Sequence, residues 1–209
     1  MRRASGFERT LDGYRLRMRE EREKSLSLSP EEFSRRRDEF LLPVGEEVGE
    51  FLIDLAIGLQ AKRIVELGTS YGFSTLYLAE AARRTGGRVA TYDLSTDKQA
   101  YARDRMGEAG LGGFIDWRCG DALEMLRREE APIDLVLLDI WKDLYVPSFE
   151  IFYPKLGPGA VVVADNMYQP ENARADAERY RKIVRTKKDI EAVTLPIGNG
   201  VDIARRTGS

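Results

Sequence analysis

The chain has 209 residues and a formal net charge of −2, and 43% of its residues are hydrophobic and 33% are charged. This length and composition indicate one folded domain and exclude a disordered chain, while the small net charge gives no general attraction to nucleic acid or to an anionic membrane. The sequence has no histidine and one cysteine, Cys119. These counts exclude histidine-dependent hydrolases and argue against a zinc site, so any metal should be bound by oxygen ligands.

The expected compartment follows from the same composition. A single cysteine excludes an internal disulfide framework and suits a reducing environment. No run is apolar over the length of a membrane span, and the charged start is not followed by the apolar core of a signal sequence. We therefore expect a cytoplasmic protein that binds neither membrane nor nucleic acid.

The first 59 residues are predicted to be mainly helical and are rich in charge. Residues 1–28 predict a solvated helix or partly ordered arm, with a lid or dimer-contact segment as the alternative. Ser29, Pro30 and Glu32 form a capping-box signal for a helix that should run towards Leu42. Apolar residues at helical spacing predict another helix over 44–59.

The remainder of the chain alternates strands and helices. The predicted strands are 63–68, 88–92, 114–118, 133–138 and 160–164, followed by a hairpin of 190–196 and 200–205. The predicted helices are 76–82, 96–109, 123–130, 145–156 and 171–187. This alternation predicts an α/β fold with a mostly parallel, doubly wound sheet, helices on both faces and an antiparallel C-terminal hairpin. We expect one domain over 1–209, with an arm over 1–40 and a core over 41–209.

The turn after the first strand has the form G-x-x-x-G-x-S, starting at Gly68. Ser70 occupies the position where a dinucleotide-binding motif carries the glycine that lets the backbone approach a pyrophosphate. A ligand without phosphates, such as S-adenosylmethionine, therefore fits better. Asp93 ends the second strand, where an acid can accept both ribose hydroxyls, and Asp121 ends the third, where it could reach the adenine amino group. Each acid taken singly could instead be a loop or N-cap residue.

Polar side chains also follow the fourth and fifth strands. Asp139 and Lys142 follow the fourth, and Asp165 and Asn166 follow the fifth. If these strands are neighbours in a parallel sheet, the two carboxylates and the amide converge as oxygen ligands for a hard cation. The structural alternatives are a surface lysine paired with the neighbouring aspartate, a capped turn after the fifth strand and, for Trp141, a core aromatic.

Three segments carry a resemblance to a known family. Val-Glu-Leu-Gly-Thr-Ser-Tyr-Gly-Phe-Ser, Leu-Asp-Ile-Trp-Lys-Asp-Leu-Tyr-Val-Pro and Ala-Asp-Asn-Met resemble the metal-dependent, catechol-type O-methyltransferases. The similarity covers residues 40–209 and is closer to catechol O-methyltransferase than to the plant caffeoyl-CoA branch. It implies a Rossmann-like S-adenosylmethionine-dependent methyltransferase fold with a seven-stranded sheet, and a homodimer as in bacterial relatives.

The resemblance also implies roles for individual residues. Asp139, Asp165 and Asn166 would hold magnesium, with calcium or manganese as alternatives. Lys142 would be the base near the acceptor hydroxyl, with Asp139 as its catalytic companion, and Trp141, Lys142 and Asn166 would contact the acceptor. The residues around the cofactor would be Val44, Glu66, Gly68, Ser70, Ser74, Asp93, Asp121, Ala122 and Asp139.

Two positions depart from the family pattern. Ile140 stands where catechol O-methyltransferase carries a histidine beside the cofactor. The loop around Asn199 lacks a clear counterpart of the carboxylate that partners the second catechol hydroxyl, a place that Asn199 or Asp202 could take. The substrate is therefore less defined than the chemistry.

The expected reaction is methyl transfer to a hydroxyl of a small aromatic acceptor with two neighbouring hydroxyls. A phenol is a poor nucleophile at neutral pH because its pKa is about 10, and chelation to a cation together with a lysine base would overcome this. The alternatives are a metal-independent small-molecule methyltransferase, a non-catalytic protein that binds S-adenosylmethionine and, more weakly, a nicotinamide dehydrogenase.

Overall fold

A computed structural model describes residues 3–130 and 132–208, and these ranges contain seven strands and eight α-helices. The strands are β1 (Arg63–Leu67), β2 (Arg88–Asp93), β3 (Ile115–Cys119), β4 (Ile133–Leu138), β5 (Leu156–Ala164), β6 (Ile190–Leu195) and β7 (Val201–Arg206). The helices are α1 (Phe7–Leu26), α2 (Pro30–Arg36), α3 (Glu46–Gly58), α4 (Phe73–Thr85), α5 (Thr96–Ala109), α6 (Ala122–Arg127), α7 (Tyr145–Phe152) and α8 (Arg174–Val184).

The strands form one sheet in the order β3-β2-β1-β4-β5-β7-β6. Strands β1 to β5 are parallel, and β7 pairs antiparallel with both β5 and β6. The predicted mostly parallel sheet with an antiparallel C-terminal hairpin is therefore confirmed. The strand order reverses between β1 and β4, and ligands of such sheets bind outside the carboxyl ends of the strands at that point.

Both faces of the sheet are covered by helices. Ile64 and Leu135 face a cluster that includes α1, α3, α4 and α5, whereas Val65 and Val136 face a cluster that includes α6, α7 and α8. Successive residues of a strand point to opposite faces, so a strand that is buried on both faces is mainly apolar. Within the described ranges, no helix is long and apolar enough to cross a membrane.

The first half of α1 belongs to the core. Phe7, Leu11 and Tyr14 are fully buried, and the Phe7 ring meets the Tyr77 ring edge-on at 5.4 Å between centroids. The spacing of these residues places them on one face of the helix. The expectation of a solvated arm is therefore wrong for this half, because its few apolar residues pack against α4 and α5.

Several predicted element ends shift. The capping box at Ser29 is confirmed, but α2 ends at Arg36 and continues only as a 3₁₀ turn over Arg37–Glu39. Strand β5 already begins at Leu156, before the predicted start at 160, and its register against β4 shifts between Leu156 and Val161. Helix α8 begins at Arg174, after a 3₁₀ turn.

The packing of α1 predicts a difference between two leucines of the same helix. Leu11 is fully buried and Leu16 is 51% exposed. Leu11→Ala should lower the free energy of unfolding by about 2–5 kcal/mol, since it removes buried methyl groups and leaves a cavity. Leu16→Ala should change it by only about 0.5 kcal/mol. Urea denaturation followed by circular dichroism measures both, and equal effects would show that α1 does not dock on the core.

Candidate active site

The candidate site lies where β1, β4 and β5 end side by side. Leu67 of β1 is paired with Leu138 of β4, which is paired with Ala164 of β5. Main-chain hydrogen bonds continue this register by one residue, from Asp139 N–H to Leu67 O at 2.9 Å and from Asp165 N–H to Leu138 O at 3.1 Å. The residues after these three strand ends therefore occupy one edge of the sheet.

Gly68 lies against the main chain of Asp139. It has a φ of +103°, and a Cβ at this position would lie 2.0 Å from the Asp139 carbonyl oxygen. Any side chain here would collide with backbone, which cannot move without separating the two strand ends. Glycine at this position therefore brings the turn after β1 next to the acidic residue after β4.

Glu66 lies beneath this turn and is fully buried. Its carboxylate accepts hydrogen bonds from the hydroxyls of Ser74, Thr75 and Thr91, each at 2.6 Å. Burial raises the pKa of Glu66 to about 7, although the three hydroxyl donors oppose the shift. Ser74 is itself buried, so these two residues join β1, β2 and the start of α4 beneath the turn.

The carboxylate of Asp93 holds the turn from the side of β2. One oxygen accepts the Ser70 N–H at 2.7 Å and the other accepts the Ser95 N–H at 2.8 Å. Asp121 caps α6 by accepting the Glu124 N–H at 3.0 Å, and its side chain lies at the surface. A carboxylate has about four lone-pair sites, so both acids keep capacity to accept further hydrogen bonds.

The acidic corner of the site comprises Asp139, Asp165 and Asn166. Asn166 has a φ of +58°, and its side-chain N–H donates to Asp139 Oδ1 at 3.0 Å. The side-chain N–H of Asn199 donates to Asn166 Oδ1, also at 3.0 Å. Asp165 is 1% exposed, and its Oδ1 has no hydrogen-bond partner among the described residues.

Burial and the nearby charge of Asp139 raise the pKa of Asp165 to about 7. A buried carboxylate oxygen without a partner is costly, and a cation would offset both the lost hydration and the repulsion between the two carboxylates. The described residues include no group of three or more acidic, cysteine or histidine side chains arranged to hold a metal. The donor set is therefore two carboxylates and one amide, which suits a hard cation that keeps several waters.

Lys142 lies next to this corner and its side chain is only 8% exposed, so the alternative of a surface lysine is wrong. Its Nζ lies 3.9 Å from Asp139 Oδ1 and donates to the Tyr145 hydroxyl. Burial lowers the pKa of Lys142, while the charges of Asp139 and Asp165 oppose that shift.

Tyr145 is a site residue to which the sequence assigned no role. It is fully buried, and its hydroxyl lies 2.8 Å from Leu138 O and 3.1 Å from Asp165 O. The hydroxyl thus joins Lys142 to the ends of β4 and β5. The available signal was its position three residues after Lys142, which places both side chains on one side of a helical turn.

The remaining predicted residues divide between the corner and other places. Trp141 is 54% exposed, so the alternative of a core aromatic is wrong. Asn199 contacts the corner, whereas Asp202 is fully buried and accepts hydrogen bonds from Arg185 at 2.8 Å. Val44 is buried two residues before α3 begins. Its carbonyl oxygen lies against Gly198, in the loop that carries Asn199, at 3.4 Å from where a Cβ on that glycine would be. Ile140 is partly buried against the core on the α7 face, and Ala122 is the first residue of α6.

Comparison with known families adds to this geometry. The family described as O-methyltransferase matches residues 29–207. The chain belongs to this family.

Its relatives include catechol-type and caffeoyl-CoA-type enzymes. A catechol O-methyltransferase from Niastella koreensis is 30% identical over 167 residues, which are 74% of this chain and 75% of the relative. Caffeoyl-CoA O-methyltransferase 2 from Zea mays is 26% identical over 187 residues, covering 79% of this chain and 70% of the relative. The O-methyltransferase TomG from Streptomyces achromogenes, solved in complex with S-adenosylmethionine, has a TM-score of 0.75 and 28% identity and covers 84% of this chain and 87% of its own. The predicted S-adenosylmethionine-dependent O-methyltransferase and its Rossmann-like fold are therefore confirmed at the level of the family.

The raised pKa of Glu66 predicts how stability depends on pH. Because the folded state binds this proton more tightly than the unfolded state, the contribution of Glu66 to stability falls as pH rises from about 4.3 to about 7. Glu66→Gln removes this dependence. The unfolding free energy of the variant relative to wild type should therefore increase by roughly 1–3 kcal/mol between pH 5 and pH 8.

Glu80→Gln provides a matched control in another buried glutamate. Burial by itself would raise the pKa of Glu80. The hydrogen bonds to Arg83 and Arg84 outweigh this effect, and the pKa of Glu80 is lowered overall. Its stability contribution is lost only as the solution becomes acidic, below the interval tested. Urea denaturation at both pH values should give a constant difference for this variant, and the same constancy for Glu66→Gln would contradict the prediction.

Proposed function

We propose that this O-methyltransferase transfers the methyl group of S-adenosylmethionine to one hydroxyl of a small aromatic acceptor with two neighbouring hydroxyls, in a site that requires a divalent cation. The observation that supports this most directly is the unpartnered, buried Oδ1 of Asp165 beside Asp139 and Lys142. The contact of Gly68 with Asp139 sets this corner against the turn proposed for the cofactor.

The cofactor would lie along the carboxyl edge of β1, β2 and β3. Asp93 is proposed to accept the ribose hydroxyls, and Asp121 with Ala122 is proposed to face the adenine. Ser70 lies in the turn after β1, on the other side of Asp93 from Asp121, and is held by the hydrogen bond of its N–H to Asp93. Glu66 and Ser74 would then act indirectly, by fixing the turn from beneath, because their side chains are bound to each other in the core.

The cation would be held by Asp139, Asp165 and Asn166, with magnesium preferred for its affinity for oxygen ligands. When bound, such an ion favours the ionised form of an acceptor hydroxyl and fixes its orientation. Asn166 now presents its amide N–H to Asp139, so its amide must turn over to offer its oxygen. Asn199, which contacts the same amide, is proposed to take the place of the carboxylate that partners the second hydroxyl in catechol O-methyltransferase.

Lys142 is proposed to accept the proton of the reacting hydroxyl. Its ammonium group must first lose a proton to do so, and its burial favours the neutral form. The Tyr145 hydroxyl holds the amine at a fixed position relative to both strand ends. Trp141 is exposed next to the buried Lys142, at what we call the mouth of the site. It is proposed as one wall of the acceptor pocket.

A metal-independent reaction is the second candidate. The hydrogen bonds from Asn199 to Asn166 and from Asn166 to Asp139 satisfy these groups without an ion and would suit a purely structural role. Removal of the metal separates the two candidates.

Methyl transfer from S-adenosylmethionine to a catechol should disappear in excess EDTA and return with magnesium. Asp165→Asn should abolish magnesium binding in calorimetry and reduce turnover about 10²-fold or more, since it removes a charged ligand of the ion. Asp143→Asn is the matched control, because Asp143 lies near the site in the loop after β4, which also carries Asp139, but its side chain is exposed. Full activity in EDTA would refute the metal requirement and support the second candidate.

Lys142→Met should reduce kcat by about 10²- to 10⁴-fold, because it removes the proposed base from a buried position. The dissociation constant of S-adenosylhomocysteine should change little, since Lys142 lies on the acceptor side. Tyr145→Phe keeps the base but removes the hydroxyl that holds it, so kcat should fall less than in Lys142→Met. Steady-state kinetics with calorimetric cofactor binding measure both, and unchanged turnover in Lys142→Met would exclude this residue as the base.

A further inference from the structure

Arg37 brings a positive charge from the N-terminal segment to the mouth of the candidate site. Its guanidinium carbon lies 5.8 Å from the centroid of the Trp141 ring. Its charge also reaches Lys142, where it contributes to lowering the pKa of the amine. Arg37 is thus the residue of the 3₁₀ turn over Arg37–Glu39 that lies beside the proposed pocket wall, which is next in sequence to the proposed base.

The guanidinium of Arg37 has no carboxylate partner among the residues that the structure describes. The two acids that follow it in sequence are bound elsewhere, Asp38 to Lys98 at 3.1 Å and Glu39 to Arg36 at 2.7 Å. Two other arginines of the N-terminal segment are paired, Arg15 with Glu46 and Arg36 with Glu39. Arg37 is half-buried, and a partly desolvated cation without a counter-charge favours an anion at that place.

The segment that carries Arg37 is held in place from several sides. The Tyr71 hydroxyl donates to the Asp38 carbonyl at 3.3 Å. The Leu41 N–H donates to Glu21 Oε2 at 2.7 Å, which joins the segment to α1. With the ion pair between Asp38 and Lys98, these contacts fix the turn over the carboxyl edge of the sheet, so Arg37 occupies a defined place at the mouth.

We propose that Arg37 is a specificity-determining residue that pairs with a carboxylate on the acceptor, at the end of the ring opposite the two hydroxyls. This inference rests on the proposed methyl transfer to a catechol-like acceptor, since it assumes that the acceptor binds with its two hydroxyls next to Lys142. Lys142 is buried and its neighbour Trp141 is exposed, so an acceptor whose hydroxyls reach Lys142 has its far end near Trp141 and Arg37. The planar guanidinium matches a carboxylate through two parallel hydrogen bonds. The acceptor class is therefore a dihydroxybenzoate-like or dihydroxycinnamate-like acid.

The test compares two acceptors that differ in charge but have similar shape and ring electronics, 3,4-dihydroxybenzoate and 3,4-dihydroxybenzamide. The measured quantity is the ratio of kcat/KM for the acid to kcat/KM for the amide. Wild type should prefer the acid, and Arg37→Gln should lower the ratio about tenfold, mainly through the KM of the acid, as expected for the loss of a charge-assisted pair. Arg37→Lys should give an intermediate ratio, because it keeps the charge and loses the planar fork.

Arg35→Gln is the matched control. It makes the same change of charge two residues earlier, and residues two apart on a helix do not face the same side. The ratio should stay within about twofold of wild type in this variant, and about 0.5 M NaCl should lower the wild-type ratio towards that of Arg37→Gln. Binding of S-adenosylhomocysteine verifies that each variant is folded.

The outcomes are distinct. An unchanged ratio in Arg37→Gln, or an equal fall in Arg35→Gln, would overturn the role of Arg37. If wild type methylates neither acceptor, the proposed function fails. The role of Arg37 is then tested by calorimetry, which measures the binding of the same two compounds to the protein in the presence of S-adenosylhomocysteine and magnesium. A tenfold preference for the acid that Arg37→Gln removes would support Arg37 even then, and equal binding of both compounds would refute it.

Discussion

The contact between Gly68 and the carbonyl of Asp139 is the constraint on which the candidate site depends. It places the turn after β1 directly against the residue after β4, at the point where the strand order of the sheet reverses. No side chain fits between these two backbone segments. A methyl donor on one side of the contact and a hydroxyl acceptor on the other would therefore be adjacent without any movement of the fold.

Two buried carboxylates near this contact differ in how far the protein satisfies their hydrogen bonds. Burial raises the pKa values of Glu66 and Asp165, each to about 7. Glu66 accepts from three hydroxyls and so joins elements of the core. Asp165 keeps an unpartnered oxygen beside a second acid. This difference, and not burial alone, is why the proposed cation is placed at Asp165 and not at Glu66.

The N-terminal segment contributes to both stability and the site. Phe7, Leu11 and Tyr14 anchor α1 in the core, and the chain then passes over the carboxyl edge of the sheet and brings Arg37 to Trp141. The many charges of this segment suggested a solvated arm. That prediction is wrong for the first half of α1, because a few apolar residues at helical spacing supply a buried contact that the charged composition does not reveal.

The sequence by itself determined the alternation of strands and helices, the glycine turn, the capping box at Ser29 and the acids at successive strand ends, because these features depend on local periodicity and backbone geometry. The absence of histidine restricted any metal ligands to oxygen. Only the tertiary structure decided that Tyr145 holds Lys142, that Asn199 and not Asp202 contacts the acidic corner, and that Arg37 lies beside Trp141. Most of these partners are brought together from distant segments by packing, and local periodicity carries no information about which side chains will meet.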